Sequence, residues 1–107
     1  MYQYLYSKII KCYCGSSYRG QLHKTKPVYI CLNYSTGKGC NRRAIKEEDI
    51  NLFFRRYCDN HNIKFELSRN YIKELIEEII VDKTGGFEIH YRNGDIQWYK
   101  DNGIKYV

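Results

Sequence analysis

Cys12, Cys14, Cys31 and Cys40 stand in a stretch that contains no acidic residue. Thiolates are soft, anionic ligands, and four of them suit one zinc ion in a closed tetrahedral site. Cys12-Tyr13-Cys14-Gly15 puts two thiols on one tight turn. Cys31 and Cys40, at the end of a strand and across a glycine-containing loop, are placed to supply a second pair. A single residue separates Cys12 from Cys14, fewer than in a typical zinc knuckle. Three arrangements therefore fit: ligation by all four cysteines, ligation by three with another group such as His23, and no metal. A bound ion would stabilise a segment that has little core of its own. The cysteine count of five is odd, which argues against a complete disulfide framework. Cys58 lies in a helical pattern and reads as a buried thiol.

Charge is divided as unevenly as the cysteines. Residues 1–46 carry nine Lys or Arg and no Asp or Glu, a charge of +9, whereas the other 61 residues carry nine bases and all twelve acids, a charge of −3. A segment of that kind gains affinity for a polyanion by releasing its counterions. Arg19, Lys24, Lys26, Lys38, Arg42 and Arg43 are the candidate nucleic-acid contacts, with arginines able to reach base edges and lysines meeting phosphate. Tyr18, Tyr29 and Tyr34 offer rings for stacking on single-stranded bases. An open catalytic zinc site needs an acid or base nearby, and no carboxylate precedes Glu47. The chain has no apolar run of about 18 residues and no secretory leader pattern. A cytoplasmic protein with reduced thiols is expected.

The elements that position these residues read as an α+β fold. A small zinc-ribbon-like β-hairpin module is expected over 1–45, and a module of two helices and a C-terminal antiparallel β-hairpin or meander over 46–107. Residues 17–24 alternate, with Tyr18, Gly20 and Leu22 on one side and Arg19, Gln21 and His23 on the other. Residues 27–32 alternate likewise, with Thr25-Lys26-Pro27 between the runs, so a hairpin is predicted. A helix is predicted over 46–61 from the spacing of Ile50, Phe53, Phe54 and Tyr57 and from the acids Glu47, Glu48 and Asp49 in its first turn. A second helix is predicted over 68–79, capped by Ser68, with Ile72, Leu75, Ile76 and Ile79 as its apolar stripe. Asn93-Gly94 predicts a type I′ hairpin that pairs Tyr91 with Ile96 and Ile89 with Trp98. The second helix would then cover the apolar face of that hairpin.

The chain resembles the recombinase zinc β-ribbon found in the C-terminal part of large serine recombinases. The resemblance rests on the apolar lead from Leu5 to Ile10, on Cys12-Tyr13-Cys14-Gly15 and Tyr29-Ile30-Cys31, on Cys40-Asn41-Arg42-Arg43-Ala44-Ile45, and on the acidic helix start Glu47-Glu48. Counted from Leu5, Cys14 matches the second knuckle cysteine and Lys11 stands where the first would be, with Cys12 one place further on. A short stretch separates the two helices where such recombinases carry a long coiled coil. None of Ser7, Ser16, Ser17, Ser35 or Ser68 has the context of a resolvase nucleophile. The resemblance implies a zinc ion, binding to double-stranded DNA at an attachment site, and no catalysis by this segment alone. The alternative is a module that pairs with a recombinase protomer and modulates it, with Tyr57, Tyr99 and Phe87 as contacts.

Overall fold

The computed structural model describes residues 3–32, 44–82, 86–100 and 103–106. Among them the fold is α+β, with two helices and two sheets. Strands β1 (Ile10–Cys12), β2 (Tyr18–His23), β3 (Lys26–Cys31) and β4 (Ile45–Lys46) precede helix α1 (Glu47–Asn60) and helix α2 (Arg69–Leu75). Strands β5 (Ile76–Val81), β6 (Phe87–Tyr91), β7 (Ile96–Lys100) and β8 (Gly103–Tyr106) follow. None of the described helices is long and apolar enough to cross a membrane.

The basic segment forms the three-stranded sheet β2-β3-β4. Its hairpin runs from Tyr18↔Cys31 to His23↔Lys26. The turn is therefore Lys24-Thr25, and Lys26 and Pro27 belong to β3. Lys24 and Thr25 both have positive φ, 50° and 69°, the pattern of a type I′ turn built without glycine or asparagine. A β-branched residue is costly there because its Cβ crowds the neighbouring carbonyl. Lys24→Asn with Thr25→Gly should raise stability by about 1 kcal/mol, read as a higher midpoint in urea unfolding.

Alternation sends Tyr18, Tyr29, Cys31 and Ile45 into the core, where all are buried. Gly20 opposite Tyr29 leaves room for the Tyr4 ring, which lies where a side chain at position 20 would begin. Tyr4 and Tyr6 both meet Tyr29 edge to face, at 6.1 and 6.2 Å between ring centroids.

The second sheet has the order β1-β5-β6-β7-β8. Its first strand comes from the N-terminal segment and runs parallel to β5, with Ile10↔Ile79 and Cys12↔Val81. The continuous hydrophobic cluster thus includes Tyr29 and Cys31 from one sheet and Ile10, Ile79 and Ile89 from the other. Helix α1 covers this sheet with Ile50, Phe53, Phe54 and Tyr57, the stripe its sequence predicts. Phe53 meets Phe87 edge to face at 5.5 Å, and Tyr57 stacks on Tyr91 at 3.6 Å.

Three expectations are corrected. The helix predicted to reach residue 79 stops at Leu75, and Ile76–Val81 is a strand. A bulge between Ile76 and Glu78 turns Ile76 and Ile79 to the same face. Their three-residue spacing therefore imitates a helical stripe, while the run Ile79-Ile80-Val81 favours a strand. Second, α1 rather than α2 covers the hairpin face. Third, the β6–β7 register is one residue off the predicted one: Ile89 pairs with Gln97 and His90 with Ile96. Tyr91 N–H donates to the Asp95 carbonyl at 2.9 Å and Gly94 N–H to the Tyr91 carbonyl at 3.0 Å. Gly94 has φ 98° while Asn93 is not left-handed, so the loop has three residues instead of two and shifts the partner strand. Gln97 consequently points inward. It is satisfied there, receiving a hydrogen bond from Tyr91 Oη at 2.7 Å and donating to the Phe53 carbonyl at 2.7 Å.

Candidate metal centre and basic ribbon face

The two arms of the cysteine site are held by different sheets. At the end of β1, Gly15 N–H donates to the Cys12 carbonyl at 2.9 Å and Cys12 N–H to the Ser16 carbonyl at 2.8 Å. These bonds close a turn over Cys12-Tyr13-Cys14-Gly15, and Gly15, at φ 93°, takes its left-handed position. Tyr13 N–H continues the parallel pairing to the Val81 carbonyl at 2.9 Å. The other arm is the end of β3, where Cys31 pairs with Tyr18 and Leu32 N–H donates to the Ser17 carbonyl at 3.0 Å.

The sulfurs of Cys12, Cys14 and Cys31 lie within 4.8 Å of one another, and Cys14 Sγ is 3.6 Å from Cys31 Sγ. Four thiolates around a tetrahedral zinc, each at about 2.3 Å, would have sulfurs about 3.8 Å apart. The Cys14–Cys31 distance is close to that spacing, and Cys12 and Cys31 are buried while Cys14 is exposed. The donors fit one zinc ion, backed by core on one side and open toward solvent at Cys14. Such an ion supplies a cross-link between the turn and the hairpin. The single-residue spacing of Cys12 and Cys14 is accommodated by the turn itself, which aims both sulfurs at Cys31.

Cys40 lies outside the described residues, as do Lys38, Arg42, Arg43 and Tyr34. His23 is remote from the cluster. It pairs with Lys26 at the turn end of the hairpin, whereas Cys31 is at the other end, about 16 Å away along β2 at ~3.3 Å per residue. Cys58 is buried in α1, and burial, with Asp59 adding to it, pushes its thiol up, which keeps it protonated and inert. Tyr18 and Tyr29 are buried, so neither can stack on a base. Tyr57 and Phe87 are buried as well, which removes them as partner contacts. Tyr57 Oη instead donates to Asp95 at 2.7 Å, and burial followed by this bond pushes the phenol up to about 12.

The remaining cations share a surface. Cross-strand pairing puts Arg19, Gln21, His23, Lys26, Val28, Ile30 and Lys46 on the face of the ribbon sheet opposite Tyr18, Tyr29 and Ile45, with Val28 and Ile30 buried on it. Arg19, His23, Lys26 and Lys46 are exposed there, and Lys24 is exposed at the turn. A groove of about 370 Å³ between the turn and the start of α1 is lined by Lys24, Lys26 and Lys46, with Glu48 and Asn51.

Two residues have roles here that the sequence reading did not assign to them. Lys46 joins the cationic face because Ile45 points inward on the same short strand. Glu47 is buried at 2% exposure. Its Oε2 accepts from Tyr29 Oη at 2.6 Å and from Leu5 N–H at 3.1 Å, while Tyr29 Oη accepts from Tyr6 N–H at 2.9 Å. Tyr6 Oη extends the network to Asn51 Oδ1 at 2.6 Å. Burial, and then the bond to Glu47, hold the Tyr29 phenol far above its ordinary range. Nothing local in the sequence marks the burial of Glu47, because its partners Tyr29 and Leu5 are 18 and 42 residues away.

A thiol cluster bridging a tight turn and the end of a β-hairpin defines a zinc ribbon. The family model of the recombinase zinc beta ribbon domain matches residues 5–59, and the chain belongs to that family. No curated protein and no solved structure matches it.

Proposed function

We propose that this protein is the DNA-binding zinc ribbon of a serine-type site-specific recombinase, non-catalytic by itself. The observation that carries this reading is the two-sided ribbon sheet. One face is core, and the other presents Arg19, Lys26 and Lys46, with Lys24 at the tip. Cations on one rigid face follow a duplex backbone better than the same cations dispersed over a loop. By sequence, Lys38, Arg42 and Arg43 belong to the same set of DNA contacts, and Cys40 is the proposed fourth zinc ligand. The unit 1–45, with Lys46 at its edge, meets the DNA, and the rest of 46–107 supports it. The zinc has a structural role, fixing the angle between the knuckle turn and the hairpin.

Electrophoretic mobility shift with a duplex tests this. The zinc-loaded protein should shift the duplex at about 50 mM salt and lose roughly 1,000-fold in affinity by about 200 mM, as six phosphate contacts require. No shift at the lower salt overturns the proposal.

A further inference from the structure

A second basic cluster lies away from the ribbon hairpin and joins Lys8 to Arg69 and Lys73, which belong to the part of the sequence whose net charge is negative. Arg69 and Lys73 are four residues apart on α2, so their side chains share one helix face. Lys8 precedes β1, whose neighbour Ile9 accepts from Ile79 N–H at 2.8 Å just beyond α2. Lys73 is only partly exposed, and its ammonium is held below its ordinary value by burial and then by the positive charges of Arg69 and Lys8. Like charges brought together in this way cost stability unless an anion joins them.

Among the described residues, no carboxylate pairs with Lys8, Arg69 or Lys73. Arg69 Nε is buried and makes no hydrogen bond, an arrangement native proteins rarely leave unmatched. Beside Arg69 a cleft of about 310 Å³ is lined by the polar side chains of Gln3, Ser68 and Asn70, with Leu5 and Leu67. The cleft therefore offers a planar guanidinium fork with amide and hydroxyl donors, and Lys73, one turn along α2 from Arg69, and Lys8 add positive charge beside it. That set suits a tetrahedral oxyanion carrying one or two charges.

We propose that Arg69, Lys73 and Lys8 form a phosphate-binding site beside the Gln3–Ser68–Asn70 cleft, separate from the ribbon hairpin, that engages a backbone phosphate of the DNA held by the ribbon. The DNA source rests on the proposed function above; the phosphate chemistry does not. The site gives the acidic half of the chain its own contact to the polyanion and so fixes the orientation of the ribbon on the duplex.

The test uses the zinc-loaded full chain in two arms. In the first, isotope-labelled protein is titrated with inorganic phosphate and amide shifts are followed by NMR. Amides of residues 68–73 should move in the wild type and stay still in Arg69→Ala/Lys73→Gln. Arg69→Lys, which keeps the charge, should restore part of the response. In the second arm, duplex affinity is measured against salt. The double variant should lower the slope of log K on log salt by about 1.8. Loss of both responses in the variant supports the DNA phosphate, and a phosphate response with an unchanged DNA slope supports the site with a free phosphate-bearing ligand as its occupant. If wild-type residues 68–73 ignore phosphate and the DNA slope is also unchanged in the variant, the site is overturned. A wild type that binds no duplex refutes the ribbon reading, and the phosphate titration then decides the site by itself.

Discussion

Replacing Cys31 by serine is expected to abolish zinc retention and, with it, the ordered ribbon. Cys31 is fully buried, stands at the meeting point of hairpin and knuckle, and has its sulfur 3.6 Å from that of Cys14. A serine hydroxyl is a poor zinc ligand and would sit in a buried position beside core side chains. Structural zinc contributes about 10–16 kcal/mol to folding in small fingers, whereas a whole domain is stable by only about 5–15 kcal/mol. Loss of the ion therefore outweighs any packing the ribbon retains. Zinc by elemental analysis should fall from one equivalent to a small fraction, and the thermal transition should broaden and drop by tens of degrees. Cys58→Ala is the control. It removes a thiol that is equally buried but lies in α1, away from the cluster, and should keep the full equivalent of zinc at a cost of about 1–2 kcal/mol.

The second large effect is expected at Glu47. Glu47→Leu should destabilise the zinc-loaded protein by about 3 kcal/mol, because it strands the Tyr29 hydroxyl and the Leu5 amide in a buried environment at about 1–3 kcal/mol each. The substitution leaves zinc stoichiometry intact, since no cysteine is touched. Glu47→Gln keeps an acceptor oxygen and should cost about 1 kcal/mol. Tyr29→Phe removes the other partner, and a double-mutant cycle between Glu47→Gln and Tyr29→Phe, read by urea unfolding, should show coupling above about 0.5 kcal/mol. An additive cycle would mean that the buried carboxylate is held by the Leu5 amide and the helix end alone. Glu47 matters beyond stability because it starts α1 while its partners come from the N-terminal segment and from β3. It locks the ribbon onto the rest of the fold.

Much of the ribbon was legible in the sequence because its signals are local. Alternation over residues 17–24 and 27–32 gives the hairpin and separates Arg19 from Tyr18. The spacing of Ile50, Phe53, Phe54 and Tyr57 gives α1 to within a residue at each end. The cysteine positions suggest a shared metal, and three of the four converge. What the sequence did not disclose depends on irregular backbone or on distant pairing. A bulge at the start of β5 disguises a strand as the end of a helix. A single left-handed glycine at Gly94, in place of two left-handed residues, moves β7 by one position and carries Gln97 into the core. Strand β1 is three residues long and its ladder is formed with the parallel partner β5, far along the chain. Glu47 illustrates the same limit in energetic terms. Composition and helix position place an acid at the start of α1, but its burial follows from Tyr29 and Leu5, which no local pattern connects to it.

In the proposed function the outward face of the ribbon meets duplex DNA through its cations. Fluorescence anisotropy with a labelled duplex over a salt series tests this most directly, comparing the zinc-loaded wild type with Arg19→Ala/Lys24→Asn/Lys26→Ala, where asparagine preserves the left-handed turn position. The account predicts tight binding at low salt for the wild type and a slope of log K on log salt that is shallower by about 2.7 in the variant. A variant that keeps the wild-type affinity and slope while retaining its zinc would contradict it.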